Sequence, residues 1–150
     1  MCRFETFLGV NMSKGDYEIA SDLETLAIEV IEEHTELSII TDNDVKIAFV
    51  RSSQRKKGKN KIVFADTRKV ADVYSAFIPY DFIITFYAPN VEMLDEEQKR
   101  ILMWHELKHC GVDGKGNTYV IPHDIEDFKE IIEKHGMDWA ERKQVGGDIE

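Results

Sequence analysis

Two histidines and the glutamate between them carry the clearest chemistry in this sequence. His105, Glu106 and His109 form the pattern H-E-x-x-H. Residues four apart on an α-helix are separated by only about 40° around its axis, so both imidazoles project from one face and can bind one Zn²⁺. Glu106 follows His105 by about 100°, which places its carboxylate beside the ion, where it can take a proton from metal-bound water.

The motif lies near the end of a helix that the sequence predicts independently. Asp95 is suited to cap the helix start, with Gln98 at the capping-box position, and the helix should run to about Cys110 and stop at Gly111. A chain of this composition contains H-E-x-x-H by chance roughly 2% of the time, so the motif alone is a hypothesis. Its position on an independently predicted helix strengthens the match. In the competing interpretation the histidines make core hydrogen bonds, but Glu106 then needs its own partner.

A zinc hydrolase typically has a third protein ligand, which is expected downstream of the motif. The metzincin pattern is excluded, because the positions of its glycine and third histidine hold Val112 and Lys115. His123 is the best candidate, since it follows a glycine-rich loop that can fold back across the helix end; its alternative role is a helix cap or a surface histidine. The competing ligands are three acidic residues just beyond it, Glu126, Asp127 and Glu130.

Other side chains near the motif have candidate roles. Asp124 and Asp127 are placed to accept the second ring N–H of a ligating histidine, or else to cap a helix and face solvent, respectively. Tyr119 is a candidate donor to the oxyanion of a tetrahedral intermediate, with a half-buried loop tyrosine as the simpler interpretation. Cys110 points about 100° away from His109 and is better explained as a small buried residue at the helix end.

The hydropathy pattern predicts an α+β fold in which an N-terminal helix and a small mixed sheet pack on the motif helix. Helical spacing over Asp16–Leu37 predicts a long amphipathic helix. Val45–Phe49, Ile62–Ala65 and Phe82–Tyr87 are predicted strands, and Arg68–Ala76 is suited to a short helix.

Beyond the motif, the sequence predicts a loop over Val112–Asn117 and a short extended piece at Tyr119–Ile121. A last helix is expected to open at His123 or Asp124 and to close at Gly136. This C-terminal helix would supply the third ligand.

Composition fits one globular domain. The chain has 150 residues, of which 43% are hydrophobic, a size and balance typical of a single core. We expect the domain to span residues 12–140, with a possible flexible extension at 1–11 and a polar tail at 141–150. No apolar stretch approaches the roughly 20 residues of a membrane-spanning helix. The oligomeric state is not indicated.

Two cysteines are too few for a disulfide scaffold, and no secretory signal is evident, so a reducing cytoplasm is the expected compartment. The formal net charge of −10 repels a phosphate backbone overall. The exception is the basic stretch 51–61, with six Lys or Arg in eleven residues. A solvated loop is the usual explanation for such a stretch, and contact with nucleic acid is the competing one.

Taken together, these motifs resemble the putative phage metallopeptidase domain family. The resemblance covers roughly Asp16 to Trp139, and it implies a compact zincin-like fold, distantly similar to the SprT-like proteases. It also implies that one Zn²⁺ per chain is bound by His105, His109 and His123, with Glu106 as general base. Four segments carry it: Ala76–Phe82, His105–His109, Pro122–Phe128 and His135–Trp139.

The sequence therefore predicts a bacterial or phage-encoded zinc metallopeptidase that hydrolyses peptide bonds with a metal-activated water and Glu106 as the general base. One alternative is a nucleic-acid-associated SprT-like protease. Another is a non-catalytic zinc-binding module, in which a fourth ligand such as Cys110 or Asp127 closes the site. A sheet edge beside the cleft is expected to bind an extended peptide by strand addition.

Overall fold

The computed structural model describes residues 16–58 and 61–122, which form an α+β fold, as predicted. No helix in these two ranges is long and apolar enough to cross a membrane. Short 3₁₀ turns occur at Thr35–Leu37 and Asp72–Tyr74. The helices are α1 (Ser21–Glu33), α2 (Ser38–Asp42), α3 (Ala88–Val91) and α4 (Glu96–Leu107), and the strands are β1 (Tyr17–Ile19), β2 (Ile47–Ser52), β3 (Lys57–Gly58), β4 (Lys61–Ile62), β5 (Ala65–Lys69), β6 (Phe82–Tyr87), β7 (Cys110–Val112) and β8 (Thr118–Val120).

A four-stranded mixed sheet in the order β1-β2-β6-β5 forms the framework. The central strands β2 and β6 are parallel, and the outer strands β1 and β5 pair with them in antiparallel fashion. Strand β5 therefore lies at one edge, although it comes between β2 and β6 in the sequence. Two small hairpins, β3–β4 and β7–β8, complete the pairing in the described part of the chain.

One hydrophobic core joins the sheet to helices α1 and α4. Met103 and Leu107 of α4 are fully buried, as are Phe82 and Ile84 of β6. Each such side chain contributes about 1.5–3 kcal/mol through its removal from water. On the outer side of the two helices, Arg100 forms ion pairs with two glutamates of α1. The motif helix is thus fixed by packing on its buried face.

The predicted capping box at the start of α4 is confirmed. Asp95 Oδ1 accepts the backbone N–H of Gln98 at 2.8 Å, and Gln98 Oε1 accepts the backbone N–H of Asp95 at 3.0 Å. The helix ends at Leu107 rather than at Cys110, because Cys110 begins β7 and pairs with Val120. The strand pairing therefore shortens the helix that the sequence predicts.

The predicted long N-terminal helix was wrong at both ends. Tyr17–Ile19 forms β1, because it pairs with the end of β2, and Ile19 is 68% exposed rather than part of a buried stripe. The helix proper is Ser21–Glu33. A 3₁₀ turn and α2 follow it as separate short elements.

Of the three predicted strands, only Phe82–Tyr87 has the expected bounds. β2 is displaced towards the C-terminus and runs through Ser52, so it takes in the first residues of the basic stretch. β5 occupies Ala65–Lys69 instead of Ile62–Ala65, so of the suggested short helix at Arg68–Ala76 only the 3₁₀ turn Asp72–Tyr74 is present. In both cases pairing along the length of β6 decides the register.

We predict that Asp95→Ala lowers the free energy of unfolding by about 1 kcal/mol, since it removes the acceptor for the Gln98 N–H. Chemical denaturation of the whole chain measures this. Asp95→Asn is the matched control, because it retains a capping oxygen and should cost much less. Equal losses in both variants would contradict the capping role.

Candidate metal centre

The two motif histidines lie at the C-terminal end of α4, where the helix gives way to β7. The ring centroids of His105 and His109 are 5.2 Å apart, and the ring planes are inclined by 72°. Two imidazoles that share one tetrahedral Zn²⁺, with nitrogens about 2.0–2.1 Å from it, have their ring centres about 5 Å apart. The spacing of this pair therefore fits a shared ion.

A hydrogen bond defines the tautomer of His109. Its Nδ1 lies 2.6 Å from the backbone carbonyl oxygen of Ile121. Because a carbonyl oxygen only accepts, Nδ1 carries the hydrogen and donates it. In the neutral ring the lone pair is then on Nε2, the nitrogen that would ligate a metal, and the ring orientation is fixed in the way typical of metal-binding histidines.

The β7–β8 hairpin places Ile121 against His109. Cys110 pairs with Val120, and beyond this pair the backbone N–H of Ile121 donates to the carbonyl oxygen of His109 at 2.7 Å. Ile121 is therefore bonded to both the backbone and the ring of His109. We call this pair of hydrogen bonds the His109–Ile121 clasp.

In the turn of the hairpin, Asp113 Oδ1 accepts two backbone N–H groups, which lower the pKa of that carboxyl group.

Gly111 permits the close approach of the two hairpin strands. A Cβ at this position would lie 2.7 Å from Cζ of Tyr119 and 2.8 Å from Cγ1 of Ile121. Contacts this short do not occur for real Cβ atoms, so only glycine fits without displacing its neighbours. Gly111 is thus required by the packing around the clasp.

Glu106 is almost completely buried, with 4% of its surface exposed. A buried carboxylate is costly unless it accepts hydrogen bonds. Thr67 of β5 supplies one, because its Oγ1 lies 2.6 Å from Glu106 Oε1. The helix and the edge strand therefore meet at this carboxylate.

Cys110 is buried, as predicted, although it lies in β7 rather than at a helix end. Burial raises the pKa of its thiol, and the nearby Glu106 carboxylate adds to this effect. Tyr119 is 45% exposed and its ring lies over Gly111. Its role as an oxyanion donor stays a prediction.

Several predicted site residues lie outside the described part of the chain: His123, Asp124, Glu126, Asp127 and Glu130. Their roles as ligands or as partners of ligands stay predictions. Within residues 16–58 and 61–122, no group of three or more His, Cys, Asp or Glu side chains is arranged to hold a metal ion.

Two cations of the basic stretch form ion pairs with acidic residues of the same chain. Arg51 forms an ion pair with Asp22, and Lys56 Nζ lies 3.0 Å from Asp66 Oδ2. The hydroxyl of Tyr87 also donates to Asp66, at 2.8 Å. The hydrogen bond with Asp66 raises the pKa of Lys56. These contacts favour a structural role for at least this part of the stretch.

Sequence reasoning missed the two partners of the motif, Thr67 and Ile121. The glycine-bearing turn between two extended pieces is a signal for a hairpin, and a hairpin centred there brings Ile121 opposite His109. Thr67 gave no comparable signal. Its place beside Glu106 depends on the position of β5 at the sheet edge, which local pattern does not encode.

We predict that Gly111→Ala lowers the free energy of unfolding by about 1–3 kcal/mol, because the new methyl group displaces Tyr119 and Ile121. Gly114→Ala is the matched control, since a Cβ there meets nothing within 4 Å. Denaturant unfolding of both variants measures the difference. Similar stability of the two would show that the hairpin accommodates the methyl group.

A model of the family described as putative phage metallopeptidase matches residues 15–145 of this chain. The comparisons found no significant match among curated proteins or among solved structures. The description of this family implies a metal cofactor and a peptidase activity on peptide or protein substrates. Because the match covers most of the chain and agrees with the family resemblance of the sequence, this protein belongs to the putative phage metallopeptidase family.

Proposed function

We propose that this protein is a zinc-dependent metallopeptidase in which His105, His109 and His123 bind one Zn²⁺ and Glu106 is the general base. The observation that carries the proposal is the arrangement of the histidine pair. The rings have a spacing suited to one ion, and the Ile121 carbonyl directs Nε2 of His109 to the role of ligand. Family membership supports the metal and the peptidase class.

Chain connectivity supports His123 as the third ligand. Ile121 is held against His109 by the clasp. In the sequence, His123 follows Ile121 by two residues, which makes it the first candidate ligand after the clasp. The acidic alternatives follow later in the chain. Three protein ligands leave one coordination position open, which is the pattern of catalytic rather than structural zinc.

The proposed mechanism is metal-assisted hydrolysis of a peptide bond. Bound Zn²⁺ would polarise the scissile carbonyl and lower the pKa of the attacking water. Glu106 takes a proton from that water as it attacks, and then gives the proton to the nitrogen of the leaving amine as the C–N bond breaks. Burial suits this role, because a carboxylate shielded from bulk solvent interacts strongly with developing charge.

We propose β5 as the strand that binds the substrate. It is an edge of the main sheet, and Thr67 brings it into contact with the proposed base. An extended peptide that adds to this edge gains main-chain hydrogen bonds regardless of its sequence. The scissile bond would then lie near Glu106.

We expect the purified protein to contain about one zinc per chain, and Glu106→Gln to keep the metal while peptide hydrolysis falls by about 10²–10⁴-fold. Elemental analysis and cleavage of labelled casein measure these. Glu96→Gln, at the exposed start of the same helix, is the control and should keep full activity. Activity retained by Glu106→Gln would exclude Glu106 as the base.

For the third ligand, we expect His123→Ala to weaken zinc binding by at least about tenfold, measured by competition with a chelator of known affinity. Parallel variants replace the acidic alternatives with neutral amides: Glu126→Gln, Asp127→Asn and Glu130→Gln. These should retain the affinity of the unmodified protein. A loss in one of them, together with normal binding by His123→Ala, would move the third ligand to that acidic position.

A further inference from the structure

We propose that Thr67 is a positioning residue that holds the carboxylate of Glu106 in the orientation needed to accept a proton. The inference rests on the proposed role of Glu106 as the general base. It adds to the site a side chain from a different element, 39 residues away in the sequence.

The geometry identifies which contact matters. Thr67 Oγ1 lies 2.6 Å from Glu106 Oε1 and 3.1 Å from the backbone carbonyl oxygen of the same residue. A hydroxyl has one hydrogen to donate, and the shorter distance falls in the range of O–H···O⁻ hydrogen bonds to a charged acceptor. The carboxylate is therefore the principal acceptor.

Thr67 is itself held rigidly. It pairs with Ile84 in the β5–β6 ladder, and Ile84 is fully buried in the core. A β-branched side chain such as threonine also has restricted rotation about χ1. The hydroxyl is thus a fixed donor, set by the sheet rather than by the motif helix.

A fixed donor matters because a glutamate side chain has several rotatable bonds. With Oε1 bonded to Thr67, rotation of the carboxylate is restricted and the position of Oε2 is defined. A general base must lie within hydrogen-bond reach of the proton that it takes, and a displacement of about 1 Å can reduce the rate by about 10²-fold.

The contact with the Glu106 backbone suggests a rival role, in which Thr67 only fastens the end of α4 to the sheet. The two roles separate in a double-mutant cycle on the full chain as purified, with thermal unfolding as the measurement. Thr67→Val keeps the branched shape and removes the hydroxyl. It is made in the unmodified protein, with Glu106→Gln, which retains an acceptor oxygen, and with Glu106→Ala, which does not.

We expect Thr67→Val to lower Tm by about 3–6 °C in the unmodified protein, since the buried carboxylate loses a donor. In the Glu106→Gln background, Thr67→Val should still lower Tm clearly. In the Glu106→Ala background, Thr67→Val should lower Tm by less than about 2 °C. An equal decrease in all three backgrounds would show that the hydroxyl acts through the backbone and would overturn the proposal. The cycle measures unfolding rather than hydrolysis, so it decides this point even if the proposed function fails.

Kinetics on a quenched fluorescent peptide cleaved by the unmodified protein provide the second measurement. We expect Thr67→Val to lower kcat by about 10–100-fold, with KM and zinc content within about twofold of normal. Thr67→Ser retains the hydroxyl and should restore most of kcat. An unchanged kcat in Thr67→Val, or equal losses in the valine and serine variants, would contradict a positioning role.

Discussion

The candidate centre depends on the clasp between His109 and Ile121. Ile121, the residue that directly follows β8, is hydrogen-bonded to both the backbone and the ring of His109. The first bond extends the β7–β8 ladder to the end of the helix, and the second sets the tautomer of the imidazole. Gly111 is needed because the side chains of the opposite strand occupy the space of its Cβ. The hairpin, which looks peripheral, thus determines how His109 presents its nitrogen.

The motif helix combines two tasks that usually conflict. Its core-facing residues Met103 and Leu107 are fully buried and anchor it to the sheet, while the same last turns carry the histidines and a buried carboxylate. Burying Glu106 costs free energy, which the hydrogen bond from Thr67 partly offsets. Packing on one face and polar contacts on the other leave this helix end little freedom to move, and rigid support favours precise ligand geometry.

Local signals in the sequence predicted the features that depend on neighbours along the chain. The capping box of Asp95 and Gln98, the apolar strand Phe82–Tyr87 and the H-E-x-x-H helix were all evident, since each is encoded within a few residues. Strand β1 and the register of β5 were missed, because they are decided by pairing with distant strands. Thr67 and the Ile121 carbonyl were missed for the same reason. The third ligand, His123, stays a prediction.

The strand order has a consequence for when the centre can assemble. β5 belongs to the long connection between the parallel strands β2 and β6, yet it pairs outside them, so it reaches its place only after β6 is available. Thr67 precedes the motif and Ile121 follows it. During synthesis on the ribosome, a chain that has just completed the motif helix still lacks the residue that orients His109. The centre proposed here would therefore form only after the chain beyond the motif has been synthesised.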